Sequence, residues 1–409
     1  MGAILDLGRE MMVTGAEVWR VKGLLVRLFD AYCFKTWDVW IVSSCMVATV
    51  RTWNDREYTE SRMIEGRSYD LDKLERLYSL AEELIESPAS VDTIRARVDE
   101  ILERSGMPAV QIYIAAAMAG AGFSIFYSGG MQDAFVAIVI SILFTTFSLR
   151  FKKYIDTSLA FNAAVAFVME TAALTLIAGG IGSDIAAITS AGILLLASGI
   201  GFASGIGAFL HGDSLTGVGE TSTSIMGATG IAIGIYLSML FFRDFLRENV
   251  VMEGAANLIA DPVIQLISCT AACAGFAVMF GARRRALLYS VIGAFFTWAV
   301  YLTAVNRFSC QTFVATLVSA CFVAFYAGLV NAVTKIPAAI FLTSCVFPLL
   351  PGSNMYYAVF GLVSHNMELA RSQGLKMLLT ALGIALGFII VSNFMLFVKN
   401  VFLRSRQAA

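Results

Sequence analysis

Gly230-Ile231-Ala232-Ile233-Gly234 and Gly383-Ile384-Ala385-Leu386-Gly387 are near copies 153 residues apart, and this pairing decides how the chain divides. The same offset carries Gly122-Phe123 onto Gly275-Phe276 and Ser198-Gly199 onto Pro351-Gly352. Three separate apolar stretches held in one register point to an internal repeat. Crossing a bilayer takes about 20 apolar residues, and such runs cover 108–127, 131–149, 158–181, 185–210 and 217–242. After a polar stretch at 243–260 come 262–282, 286–305, 310–333, an interrupted 337–363, and 374–398. Each unit therefore has five spans, and an odd number obliges the second copy to insert upside down. The expected fold is an α-helical polytopic membrane protein of about ten transmembrane helices, arranged as two inverted five-helix repeats at 108–249 and 250–409.

Composition sets the same boundary from the other side. Hydrophobic residues make up 58% of the 409 and charged residues 14%, against about 25% charged in a soluble globular protein. Residues 1–107 nevertheless hold 33 of the 59 Asp, Glu, Lys and Arg, so a small polar domain precedes the membrane part. Its start lacks the regions of a signal peptide, and Asp6, Arg9 and Glu10 interrupt any apolar run, so a cytosolic domain is expected. That domain reads as α/β. An amphipathic helix over 5–31 leads to an apolar β-prone run over 39–50, a turn at Asn54-Asp55, a strand over 57–64, and helices over 71–86 and 91–104.

Lys and Arg in short loops collect on the cytoplasmic side. With both termini inside, ten basic residues fall in inner segments, among them Arg150, Arg284 and Lys335, against five outside. The expected location is the plasma (inner) membrane, multi-pass, with cytoplasmic N- and C-termini. A net charge of −1 and the lack of a basic, aromatic-laced patch give no sign of nucleic-acid binding. Cys269 and Cys273 share a helix face without a nearby His, which favours a core role over a metal site. No cofactor is implied, and residues 1–107 hold no evident set of nucleophile, base and orienting group.

Inverted-repeat transporters hold their solute at mid-membrane, where helices of each half are broken and expose backbone N–H groups at a positive dipole end. Two such segments correspond here: Ser198-Gly199-Ile200-Gly201-Phe202-Ala203-Ser204-Gly205 and Pro348-Leu349-Leu350-Pro351-Gly352-Ser353-Asn354. In the second, Pro348 and Pro351 each remove a helix donor and Gly352 widens the backbone's choice. In the first, Gly201 and Gly205 also form a small-xxx-small face, so close helix packing explains them equally well. Ser198, Gly199, Ser204, Pro351, Gly352, Ser353 and Asn354 are the candidate substrate-binding residues. Ionisable groups inside spans are costly and mark function. Glu170, in the middle of its span, is the first candidate for proton coupling, because burial disfavours a charged carboxylate. Glu220 and Asp184 are further candidates, nearer span ends where solvation is the competing explanation. The counterparts of Glu170, Glu220 and Asp184 at the offset are Val323, Gln373 and Pro337, so carboxylate coupling belongs to the first half. His211 and His365 read as loop residues.

Gly15-Ala16-Glu17-Val18-Trp19-Arg20-Val21 resembles the GAExxRVE signature of the threonine/serine exporter family, with Lys22 in place of its last Glu. Further similarities are Asp70-Leu71-Asp72-Lys73-Leu74, the stretch 126–134 with Gly129-Gly130 and Asp133, and His211-Gly212-Asp213-Ser214-Leu215-Thr216-Gly217, which is similar to a GDxxSG loop. Pro348-Leu349-Leu350-Pro351-Gly352 resembles the PLxPG element of the family's partner domain, as in its fused, single-chain members. The family pattern PGxxxTNxxRD meets 198–208 here without its Pro, Asn, Arg and Asp. The resemblance implies proton-driven export of threonine and serine, or in split relatives of a small dicarboxylate. A non-transporting membrane scaffold or sensor with a working polar domain is the alternative. The partners implied are a small solute and the lipid bilayer. Small-residue faces at Ala115-Ala119 and Gly230-Gly234 suit a homo-oligomer and intramolecular packing alike.

Overall fold

The computed structural model describes residues 1–66, 68–155, 157–196, 199–243, 261–282, 284–334 and 336–407. Its N-terminal domain differs from expectation at two corners. The apolar pattern predicts one helix over 5–31; the chain instead forms α1 (Gly2–Val13) and α2 (Val18–Ala31). Between them Gly15 takes φ +106, where a Cβ would sit 2.6 Å from the Tyr69 ring. Only glycine makes this turn without strain. Likewise the apolar run 39–50 is two strands, β1 (Thr36–Val42) and β2 (Cys45–Arg51), folded back at Ser43-Ser44. β3 (Glu57–Met63) completes an antiparallel sheet of order β1-β2-β3.

The helices α3 (Leu71–Glu86) and α4 (Val91–Glu103) fall where the sequence places them. Asp70 accepts from the Lys73 N–H and Ser90 from the Thr93 N–H, so each begins with a side-chain cap. Leu5, Leu25, Leu28, Phe29, Met46 and Leu77 are fully buried in the shared core. Each such side chain contributes about 1.5–3 kcal/mol of burial.

Among the described residues, six α-helices form the first membrane half: α5 (Ala109–Phe126), α6 (Met131–Phe151), α7 (Ser158–Ala178), α8 (Ile185–Leu196), α9 (Gly199–Leu210) and α10 (Ser214–Phe241). Six more form the second: α11 (Pro262–Met279), α12 (Arg284–Phe308), α13 (Thr312–Thr334), α14 (Ala338–Cys345), α15 (Gly352–Val363) and α16 (Met367–Gln407). Among the described residues eight helices are long and apolar enough to cross a membrane, and nine if α8 and α9, bent by 58°, count as one span. The interruption expected within 337–363 is present. That segment is α14, a 3-10 turn at Phe347–Leu349, and α15, because Pro348 and Pro351 interrupt the hydrogen-bond ladder of any longer helix.

The two halves share most of their helix starts. Starts at 109 and 262, 131 and 284, 185 and 338, 199 and 352, and 214 and 367 each differ by the offset seen in the sequence. Packing partners recur as well: α7 with α10 and α13 with α16, α9 with α10 and α15 with α16, α6 with α8 and α12 with α14. Across the middle, α10 packs on α15 and its counterpart α16 packs on α9, while α5 packs on its own counterpart α11. At that last crossing a Cβ on Gly122 would lie 2.8 Å from the Ser268 carbonyl oxygen, and one on Gly275 would meet the Ala115 carbonyl. Moving along α5 from 115 to 122 thus means moving back along α11 from 275 to 268, so these two counterparts run antiparallel where they cross. Ala115 and Ala119 are used up at this contact, and Gly230 and Gly234 lie as tightly against the α7 backbone. Both small-residue faces serve packing within the chain. The expected division at 249 and 250 lies outside the described residues.

Candidate functional site: two cavities at the helix breaks

Gly199 and Gly352, the first residues of α9 and α15, lie against each other. A Cβ on Gly199 would sit 3.4 Å from the Gly352 nitrogen and from the Leu350 Cβ. Two helix N-termini therefore meet inside the bundle, each with N–H groups its own helix cannot satisfy. Ser198 falls outside the described residues. Pro351 is the N-cap residue of α15, and the backbone turn before it carries Leu350 between two cavities, lining both.

On the side away from the N-terminal domain is a cavity of about 390 Å³. Ser353 and Asn354 line it, with Tyr127, Ser190, Trp298, Tyr301, Tyr357, Gln373 and Lys376. The Tyr127 hydroxyl and Ser353 Oγ are 3.0 Å apart, and Asn354 Nδ2 donates to Gln373 Oε1 at 2.9 Å. Ser190 Oγ lies 3.2 Å from the Tyr357 hydroxyl, which ties α8 to α15. Polar groups of both halves thus face one space, walled by the rings of Phe126, Trp298 and Tyr301.

Under the N-terminal domain is a second cavity of about 90 Å³, lined by Ser204, Glu220, His211, Asp213 and Thr343 and roofed by Glu17, Trp19 and Tyr69. Here the signature residues find their physical roles. Glu17 holds the N-cap position of α2 without a side-chain cap bond, and its carboxylate pairs with Arg20. The Arg20 guanidinium lies 4.3 Å from the centre of the Trp19 ring, and Trp19 stacks on His211 at 5.0 Å. His211, read from the sequence as a plain loop residue, thereby anchors the N-terminal domain to the α9–α10 loop. A second anchor joins the other half: the Leu71 N–H donates to the Phe280 carbonyl at 2.7 Å, and Asp70 faces Gly281.

The carboxylates separate into distinct duties. Glu170 is 4% exposed and accepts from Thr189 Oγ1 at 3.0 and 3.1 Å. Thr189 precedes Ser190, so consecutive residues of α8 touch the buried carboxyl and the far cavity. Asp184 caps α8, accepting from the Ala187 N–H, and its counterpart Pro337 is the N-cap residue of α14. Asp133 accepts from the backbone N–H groups of Gly130, Ser183 and Asp184, holding the start of α6 to the start of α8. Glu220 lines the cavity beneath the N-terminal domain. Among the described residues no group of three His, Cys, Asp or Glu is placed to hold a metal ion.

Sequence reasoning missed Ser190, Trp298, Tyr357 and Lys376 as cavity-lining residues. A signal for some of them was present: Tyr357, Gln373 and Ser190 are the offset counterparts of Ser204, Glu220 and Thr343, which line the other cavity.

Residues 3–242 match the family profile for the threonine/serine exporter, and residues 265–394 match a second profile described as "Threonine/Serine exporter, ThrE". The chain is similar to a protein of Mycobacterium tuberculosis named "Probable threonine/serine exporter", 26% identical over 364 residues, or 85% of this chain and 67% of that one. No solved structure matches. With both profiles in one chain, covering its N-terminal domain and both membrane halves, this multi-pass membrane protein belongs to the threonine/serine exporter family, whose members are export transporters.

Proposed function

We propose that the chain exports a small amino acid of the threonine/serine kind from the cytoplasm across the plasma membrane, driven by protons. The observation that carries this reading is the pair of cavities made from equivalent positions on opposite sides of one break, with Leu350 between them. The halves act as inverted repeats, a relation supported by the helix starts they share and the antiparallel crossing of α5 and α11. Rocking one half against the other opens the cavities in turn. The cavity under the N-terminal domain is then the inner one, and the cavity at Ser353 and Asn354 the outer one.

At the break, the N-termini of α9 and α15 favour the solute's carboxylate. Ser353, Asn354 and Gln373 supply donors and acceptors suited to an amino acid hydroxyl. Glu170 carries the proton: it lies one residue from the cavity wall through Thr189 and Ser190, where its charge state bears on the α8–α15 contact. The test is flux of labelled threonine, serine and succinate in proteoliposomes under an imposed pH gradient. The reading requires threonine or serine flux that responds to the gradient, and absence of any such flux overturns it.

A small dicarboxylate as solute is the second reading. It is favoured by Lys376, a cation on the outer cavity wall, where no described lining residue is acidic. The same flux experiment separates the two through succinate.

A further inference from the structure

The inner cavity holds chemistry that the transport cycle alone does not call for. Three carboxylates line it, those of Glu17, Asp213 and Glu220, and no Lys or Arg is among its described lining residues. Two have local duties, since Glu17 Oε2 accepts from Arg20 Nε and Asp213 Oδ1 caps α10 through the Thr216 N–H. The third, Glu220, faces α9, where a Cβ on Gly201 would lie 3.7 Å from its Oε2, along the stretch of wall that continues through Ile200 to Leu350 at the break.

Thr216 precedes Glu220 by four residues and lines the same cavity, so the two share one face of α10. It is only 4% exposed, and its Oγ1 has no hydrogen-bond partner. A buried hydroxyl left without a partner is costly, and here it stands one helical turn from a carboxylate on a wall with no Lys or Arg among its described residues. Such a wall offers acceptors to a cation that carries several N–H donors. The counterparts of this pair in the second half are Leu369 and Gln373, so the outer cavity has no copy of it.

We infer that the inner cavity is a loading site for a small solute bearing a primary ammonium group, with Glu220 and Thr216 receiving the ammonium and the N-terminal domain closing the site over it. The inference rests on the transport reading and adds a second subsite to it. It gives the docked N-terminal domain a task, because Trp19 and Glu17 complete the enclosure. A dicarboxylate meets three like charges there and no Lys or Arg among the described lining residues.

Titration of the full chain in lipid nanodiscs with L-threonine, N-acetyl-L-threonine and succinate tests this. The wild type is expected to bind threonine and neither of the others. Glu220→Gln keeps the shape and removes the charge, and should weaken threonine binding about tenfold or more, the size of a charge-assisted hydrogen bond. Thr216→Val should weaken it by a smaller factor while leaving the solute-free melting midpoint level or raised. Threonine affinity unchanged in Glu220→Gln, or N-acetyl-L-threonine bound as tightly as threonine, overturns the loading site and leaves the transport reading standing. A wild type with neither threonine binding nor flux removes both. Should Glu220→Gln lower the solute-free midpoint, Glu220→Asp decides: retained affinity supports the site, and loss equal to that of the Gln variant overturns it.

Discussion

Ser204, Glu220 and Thr343 line the inner cavity; 153 residues away in each case, Tyr357, Gln373 and Ser190 line the outer one. Position is shared while chemistry is not. The inner wall carries carboxylates and a roof supplied by the N-terminal domain, and the outer wall carries Lys376, three hydrogen-bonded polar pairs and an aromatic rim. The difference teaches that helix boundaries and breaks, set by glycine, proline and caps, fix where a cavity can form. Side chains on its wall are then free to diverge without disturbing the bundle. In the proposed cycle, the two walls would present different chemistry to the solute on entry and on exit.

The comparison breaks first at Glu170, which has no counterpart carboxylate in the second half. Glu170→Gln is expected to lower gradient-driven flux on the order of a hundredfold, the range for removing a positioned proton carrier, while solute exchange without a gradient continues. Equal losses in both assays would detach Glu170 from coupling. Gln373→Glu makes the outer wall resemble the inner one. We expect threonine affinity to be held or improved, because the added carboxylate attracts the solute's ammonium, as read by titration, and a loss of about tenfold would contradict the comparison.

A third variant addresses the scaffold beneath the cavities. Gly275→Val places a side chain against the Ala115 carbonyl at the α5–α11 crossing and should cost about 1–3 kcal/mol of overpacking. A fall in melting midpoint checks it, and an unchanged midpoint contradicts the close crossing. Smallest is Trp19→Ala, which removes the stack on His211 and with it about 0.5–1.5 kcal/mol. Faster amide exchange over 211–220, with the N-terminal core unaffected, is the expected reading.

Much of this architecture is legible in the sequence because it rests on local signals. Helix α3 begins and ends where expected, since Asp70 caps a regular apolar stripe from Leu71 to Leu84. The starts at Met131, Ser158, Ile185 and Pro262 were read from apolar runs bounded by Gly, Asp or Thr, and they hold. The corner at Gly15 escaped because buried Met11, Met12, Val18 and Val21 carry the apolar pattern on both sides of it. The hairpin at Ser43-Ser44 escaped because alternation continues through 39–50 and a two-Ser turn gives no strong signal.

Pairs distant in sequence were beyond local reading. Trp19 on His211, Asn354 on Gln373 and Ser190 on Tyr357 arise only once the halves are folded together. The offset did carry part of this information. It places Gln373 opposite Glu220 as soon as Glu220 is known to line a cavity.

The central claim is that the two cavities open to opposite sides of the membrane. Ser204→Cys and Ser353→Cys, each in a chain whose seven native cysteines are replaced, can be probed in oriented vesicles with a membrane-impermeant thiol reagent. The account predicts labelling at 204 only from the side of the N-terminal domain and at 353 only from the other, with added threonine protecting both. Labelling of both positions from the same side would contradict it.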